Sequence, residues 1–176
     1  MTEYFEESQL KQAEKQKRIN LTAYFITLFV FLAFTVLCII YYRTFPYSGY
    51  ADTASKITKL KAVHYSVTGI FVIFSFIFLG IKYKRINRYY KLCSNLKSGL
   101  KETSTGSFLE YDENVHDKDG VDMKALVFIE WNKYKNDYFE RKVLVFYEKP
   151  FPEFTEKATV RYVTQGNVLI SYEILD

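Results

Sequence analysis

His116 stands among Asp112, Glu113, Asp117 and Asp119, the one place in the chain where an imidazole and several carboxylates crowd together. That grouping has the donor types of a weak divalent-cation site. The spacing fits a calcium loop badly: in the frame anchored on Gly120, Val115 falls where the first ligand belongs and Leu126 where the bidentate acid belongs. A solvated, charged hairpin end accounts for the same letters. The other imidazole, His64, lies in the first turn of an apolar run, and neither Cys38 nor Cys93 has a Cys or His neighbour at metal-ligand spacing. Packing explains both cysteines; acylation of Cys93, close to an apolar run, is the alternative. No phosphate-cradling glycine loop, nucleophile elbow or Ser/Cys with a His base is present in sequence. The sequence therefore predicts no catalytic residues, no cofactor and no metal site, and an enzyme is not expected.

The elements that carry these residues are dominated by two uncharged apolar runs. Leu21 to Tyr42 is bracketed by Arg18 and Arg43, and Ala62 to Ile81 by Lys61 and Lys82. At about 1.5 Å per helical residue each is long enough for a hydrocarbon core of roughly 30 Å. The expectation is a transmembrane helix over 20–42, an extracytoplasmic loop over 43–61 and a second transmembrane helix over 62–82. A cleaved signal peptide does not fit the first run, because a hydrophilic segment precedes it and no small-residue cleavage pattern follows.

Lys and Arg near span ends stay on the cytoplasmic side. Four such residues lie between the runs and eleven flank them outside, seven of these between Lys82 and Lys101 with no acid among them. Both termini are thus expected in the cytoplasm of a plasma-membrane protein. No Asp, Glu, Lys or Arg lies within either run, which argues against a pump or channel formed by this chain alone. Tyr41, Tyr42, Phe45, Tyr47 and Tyr50 crowd one expected interface and Tyr83, Tyr89 and Tyr90 the other, where amphipathic rings belong.

Ala62, Ser66 and Gly69 share one helical face and would let another helix approach closely. Packing against the first span is the plain reading, and homodimerisation the other. Beyond the second run, Lys82, Lys84, Arg85, Arg88 and Lys91 form a basic collar suited to anionic headgroups. Over 83–101 the sequence predicts a basic helix whose apolar seam is Ile86, Tyr89, Cys93, Leu96 and Leu100. Three surfaces compete for that seam: the amino-terminal segment 1–19, which also reads as helical, a second copy of the same helix, or lipid.

Gly99 and the polar run Glu102 to Gly106 end the helix, and strand grammar follows. Strands are predicted over Phe108–Tyr111, Val121–Trp131, Tyr138–Tyr147, Ala158–Thr164 and Val168–Ile174, with turns at Asp117–Gly120, Asn132–Asn136 and Gln165–Asn167. Pro150 and Pro152 force an extended connection. The expected fold is α+β: a transmembrane helical hairpin followed by a small five-stranded antiparallel barrel of the OB or SH3 kind, or a half-closed meander, over 102–176. That domain holds nine Lys or Arg against fifteen Asp or Glu, a net charge of −6, within a chain of +4. An OB-like barrel that binds nucleic acid needs a basic groove, so no nucleic-acid partner is expected.

Three stretches resemble landmarks of uncharacterised small two-span membrane proteins of low-GC Gram-positive bacteria. They are Tyr89-Tyr90-Lys91 with Leu100-Lys101-Glu102-Thr103, then Tyr138-Phe139-Glu140-Arg141, and Thr164 to Glu173. The resemblance implies a two-span anchor with a cytoplasmic β domain, and no activity, cofactor or site residues. Two functions remain in view. One is an interaction or scaffold protein that presents an acidic β domain at the cytoplasmic face of the bilayer to a protein partner, a second copy included. The other is an accessory subunit of a larger transporter or envelope-synthesis complex.

Overall fold

Uninterrupted apolar composition without helix breakers makes the first run helical, and the polar residues before it extend the same helix. In the computed structural model, which describes residues 1–44, 51–132 and 134–175, helix α1 spans Glu7–Thr44. Glu7 in its first turn and Arg43 in its last complement the helix dipole. Helix α2 spans Ala51–Ile77, passes through a π-helical stretch at Phe78–Tyr83, and continues as α3, Lys84–Ser98. The expected loop is therefore helical from Ala51 onward. Phe45, Tyr47 and Tyr50, read above as interfacial, lie outside the described residues.

The chain divides into two compact units, residues 15–86 and residues 1–14 with 87–176. In the first, α1 and α2 form a hairpin held by rings. Phe31 stacks on Phe71 at 4.1 Å between centroids, Tyr24 stacks on Phe78 at 5.3 Å, and Phe34 meets His64 edge-on at 5.9 Å. Tyr24 also donates its hydroxyl hydrogen bond to Ser75 Oγ. The opposite faces carry Phe25, Phe29, Ile70, Ile73 and Phe76, all exposed, with Phe29 at 73% and Phe76 at 76%. Both helices are long and apolar enough to cross a membrane.

The second unit is a closed five-stranded barrel. Strand β1 is Thr2–Glu3, β2 Glu102–Lys118, β3 Val121–Asn132, β4 Asp137–Phe146, β5 Thr159–Gln165 and β6 Val168–Ile174. The circuit runs β2-β3-β4-β6-β5 and back to β2, with β1 added outside on β6. This Greek-key order is that of an OB-type barrel, not of a meander. One correction concerns strand direction: β4 and β6 run parallel where they meet, at Leu144↔Val168, so the barrel is mixed rather than wholly antiparallel.

Two other expectations change. The first barrel strand is far longer than Phe108–Tyr111, because its two halves serve different neighbours: Glu102–Ser107 pairs with β5, and Ser107–Lys118 pairs with β3. Ladder hydrogen bonds on that first half override the turn-like composition of Glu102 to Gly106. The amino-terminal segment is helical only from Glu7; before it, Thr2 and Glu3 pair with Tyr172 and Ser171.

Turn chemistry sets the hairpin registers. Asp119 and Gly120 both have positive φ, as do Gly166 and Asn167, and each pair closes a two-residue type I′ turn matched to the twist of its strands. At Gly120 a side chain would also collide with Arg88, whose guanidinium lies over the turn. The segment after β4 crosses the barrel wall in extended form and packs the half-buried Phe151 and Phe154 against Tyr111 and Phe108.

The apolar seam of α3 meets the barrel, which is not among the three surfaces named above, together with one that is, the amino-terminal segment. Leu92, Cys93 and Leu96 are buried in the barrel's own core with Met123, Phe128, Val145 and Leu169. The amino-terminal segment shares that core through Tyr4 and Phe5, and Lys97 pairs with Glu7 at 3.0 Å. Leu100, the last seam residue in sequence, is 95% exposed, because the helix ends at Ser98.

Candidate functional site

Two polar clusters are built into the barrel. The first lies inside it. Arg141 projects from β4 and reaches four residues on three other parts of the barrel: its guanidinium donates to Ser104 Oγ at 2.8 Å, to Glu102 at 2.8 Å, to Thr164 Oγ1 at 3.4 Å and to Asn167 Oδ1 at 3.3 Å. Glu130 on β3 lies 3.5 Å from the same guanidinium and accepts the hydroxyl hydrogen bond of Tyr162, a fully buried ring on β5. Burial, and then the bond to Glu130, push the Tyr162 phenol far above its ordinary range, so it stays a donor. A buried carboxylate and guanidinium are tolerable only when both are fully partnered, and here they are. The cluster ties β2, β3, β4 and β5 together at one place.

The second cluster lies on the barrel wall. The ladder between β2 and β3 shifts between Asp112↔Ala125 and His116↔Met123, bulging Glu113, Asn114 and Val115 outward. Across the base of the bulge, Asp112 accepts from His116 Nε2 at 2.9 Å, Lys142 Nζ at 2.8 Å and Asn114 Nδ2 at 2.7 Å. Lys142, then His116 and Asn114, hold the Asp112 carboxyl well below the usual carboxylate range. Beside it is an open groove of about 580 Å³ lined by Glu110, Tyr111, Asp112, Glu113, Asn114 and Lys142.

The structure thus joins His116 to Asp112 through hydrogen bonding, while Asp117 turns away to accept the N–H of Gly120. Among the described residues, no group of three or more His, Cys, Asp or Glu side chains is arranged to hold a metal ion. Lys142 and Asn114, from distant or unremarkable positions in sequence, complete the Asp112 cluster. No local motif announces Lys142; it arrives because β4 pairs with β3, which pairs with β2.

The remaining sequence-read residues fall as follows. Lys82, Lys84, Arg85, Arg88 and Lys91 are all exposed on the helix, with Lys82 also 5.7 Å from the Phe78 ring and Arg88 laid over the Gly120 turn. Ala62, Ser66 and Gly69 are exposed, and the position a Cβ would take on Gly69 has nothing within 4 Å. Pairing with α1 uses another face of α2, through His64, Phe71, Ser75 and Phe78, because ring stacking holds the two helices together there. Within the hairpin, His64 Nδ1, Tyr42 Oη and Thr35 Oγ1 are buried without a hydrogen-bond partner among the described residues. Cys93 is fully buried, and desolvation pushes its thiol up to about 11.

No protein-family model, curated protein or solved structure matches this chain.

Proposed function

We propose that this chain is a membrane-anchored interaction or scaffold protein. Helices α1 and α2 cross the plasma membrane with both termini in the cytoplasm, and the acidic barrel is presented at the inner face to a protein partner. The observation that carries the reading is the exposed apolar surface of the hairpin. Hardly any of the apolar stretch of α1 is buried and none of that of the second helix, whereas a core helix of a soluble protein is mostly buried. Large rings such as Phe29 and Phe76 facing outward suit acyl chains and are costly in water.

Charge supports the orientation. The exposed cations Lys82, Lys84, Arg85, Arg88 and Lys91 follow the second apolar stretch, and each is worth on the order of 1 kcal/mol near anionic headgroups. The net charge of −6 over 102–176 gives the barrel a field that selects basic partner surfaces. Neither polar cluster offers an activated nucleophile, so the proposal assigns the barrel recognition and not catalysis.

Two measurements test it. Membranes washed with high salt and alkaline carbonate should retain the protein, and detergent should release it; release by salt alone overturns the anchor. For orientation, Tyr50→Cys should react with an impermeant maleimide in intact cells, and Lys118→Cys only after permeabilisation. The reverse pattern overturns the topology.

One observation favours a second reading, an accessory subunit of a larger membrane complex. The Ala62, Ser66 and Gly69 face is left open by α1 and is shaped for the close approach of another helix. Replacing all three with Leu should shift the protein away from a larger complex in mild detergent; unchanged co-migration sinks this reading.

A further inference from the structure

Strand β6 has β5 along one side, and its other side is shared between two neighbours. Among the described residues it meets β4 at Leu144↔Val168 alone. Where β4 leaves off, the amino-terminal strand takes its place. Tyr4 and Phe5 both donate their N–H to the carbonyl of Ile170, at 2.8 and 2.9 Å, and Glu3 and Thr2 pair with Ser171 and Tyr172. The first residues of the chain thus close the seam that β4 and β6 leave between them.

Side chains wedge this strand in place. Phe5 is buried and stacks on Phe146, the last residue of β4, at 6.5 Å between centroids. Tyr4 is buried too and donates its hydroxyl hydrogen bond to the carbonyl of Pro150. Lys149 closes over the strand: its ammonium donates to the carbonyl of Tyr4 at 2.6 Å and lies 4.9 Å from the Tyr4 ring.

Two features set the strand apart from the rest of the wall. Its ladder is short and its outer residues, Met1 to Glu3, are exposed, whereas β3 and β4 pair without a break from Asn132↔Asp137 to Met123↔Phe146. Short pairing open to solvent belongs to the low-stability end of a fold. The strand also has no slack. Only Glu6 separates Phe5 from α1, and Glu6 itself caps that helix, its N–H donating to Gln9 Oε1 at 3.2 Å. The first turn of α1 is tied in turn to α3 through Glu7 and Lys97.

We infer that Thr2 to Phe5 form a detachable latch, which leaves the β4–β6 seam as a unit while the rest of the barrel stays folded, and whose position is set by the first turn of α1. Release bares Phe146 and the edge of β6 from Ile170 to Tyr172, an apolar slot beside open main-chain groups. The slot's occupant is the chain's own amino-terminal segment. The inference goes beyond the anchoring role, and every contact it uses lies within the unit of residues 1–14 and 87–176.

Hydrogen exchange on the full, unaltered chain in mild detergent tests detachment. The amides of Tyr4 and Phe5 should show protection factors severalfold below those at the centre of β3, at Leu126 and Phe128. Equal protection would mean that the strand leaves only when the whole barrel unfolds, and overturns the inference. Glu3→Cys with Ser171→Cys places two thiols at a directly opposed pair. Oxidation should raise the protection of Tyr4 and Phe5 to the level of β3, and reduction should reverse it; no change on oxidation also overturns the latch. For the link to α1, Glu7→Lys sets two ammonium groups where the Lys97 ion pair stood and should lower the protection of Tyr4 and Phe5 severalfold. With Gly-Ser-Gly-Ser inserted between Glu6 and Glu7, the same substitution should have little effect. No effect of Glu7→Lys, or the same effect with the insertion present, overturns the link. Each result leaves membrane retention, tested separately, as it stands.

Discussion

The hydroxyl of Tyr162 on β5 donates to the carboxylate of Glu130 on β3, across the interior of the barrel. Because Glu130 also faces Arg141, the phenol is one corner of a charged triangle in which each member satisfies the others. Tyr162→Phe keeps the ring stacked on Phe128 and deletes only the donor. Chemical denaturation of the full chain in detergent should show a loss of about 1–3 kcal/mol, the cost of leaving a buried acceptor short of a partner. Arg141→Met should cost more, about 3–5 kcal/mol, because it strands the Glu130 charge. Equal and negligible losses would show that the triangle is hydrated and open.

Acid should act on the barrel through Asp112. Its carboxyl is held below the ordinary value of 3.8 in the folded state by Lys142, His116 and Asn114. The unfolded chain therefore binds the proton first, and the stabilisation is complete above about that value and is lost as pH falls through the lower folded pKa. Asp112→Asn should flatten the acid limb of a stability-against-pH curve while leaving the curve above pH 5 parallel to the parent. An unchanged acid limb would place the sensitivity elsewhere.

Thiol chemistry should separate folded from unfolded chains. Cys93 is fully buried between α3 and the barrel, and its thiol is pushed up to about 11, so thiolate is scarce at neutral pH. Maleimide should modify Cys93 slowly in the native protein and rapidly in denaturant, with the modified site located by peptide mass. Rapid native modification would mean that α3 detaches readily.

Leu96 tests the same docking energetically. It is fully buried in the core that α3 shares with Met123, Phe128 and Leu169. Leu96→Ala should cost about 2–5 kcal/mol, as expected for a buried leucine whose cavity cannot fully collapse. Leu100→Ala, at an exposed position on the same sequence seam, should cost almost nothing in the same denaturation assay.

Gly120 combines a left-handed backbone with a close neighbour. Its φ is +78°, and an added Cβ would run into the guanidinium of Arg88. Gly120→Ala should lower stability by about 1–3 kcal/mol through backbone strain. Combining it with Arg88→Ala should relieve the clash but leave the strain, so the thermal midpoint should recover only in part.

Much of the architecture is written locally. Unbroken apolar runs dictate the two long helices, Asp119-Gly120 and Gly166-Asn167 carry the turn chemistry their hairpins require, and the short apolar runs Ala125–Ile129 and Val143–Phe146 mark the centres of β3 and β4. These signals are local because they arise from backbone sterics and from the apolar content of a single element. Where the code is non-local, the reading departs. Glu102 to Gly106 looks like a loop and is a strand because β5 completes its ladder. The α3 seam reads as a generic apolar stripe, and only the barrel's open end decides what it covers. The Asp112 cluster and the Arg141 triangle each join residues from distant strands, so no spacing in sequence announces them. Closure of the circuit, and the unpaired stretch of β4 that closure leaves behind, are properties of strand order, which a linear pattern of apolar and polar residues does not encode.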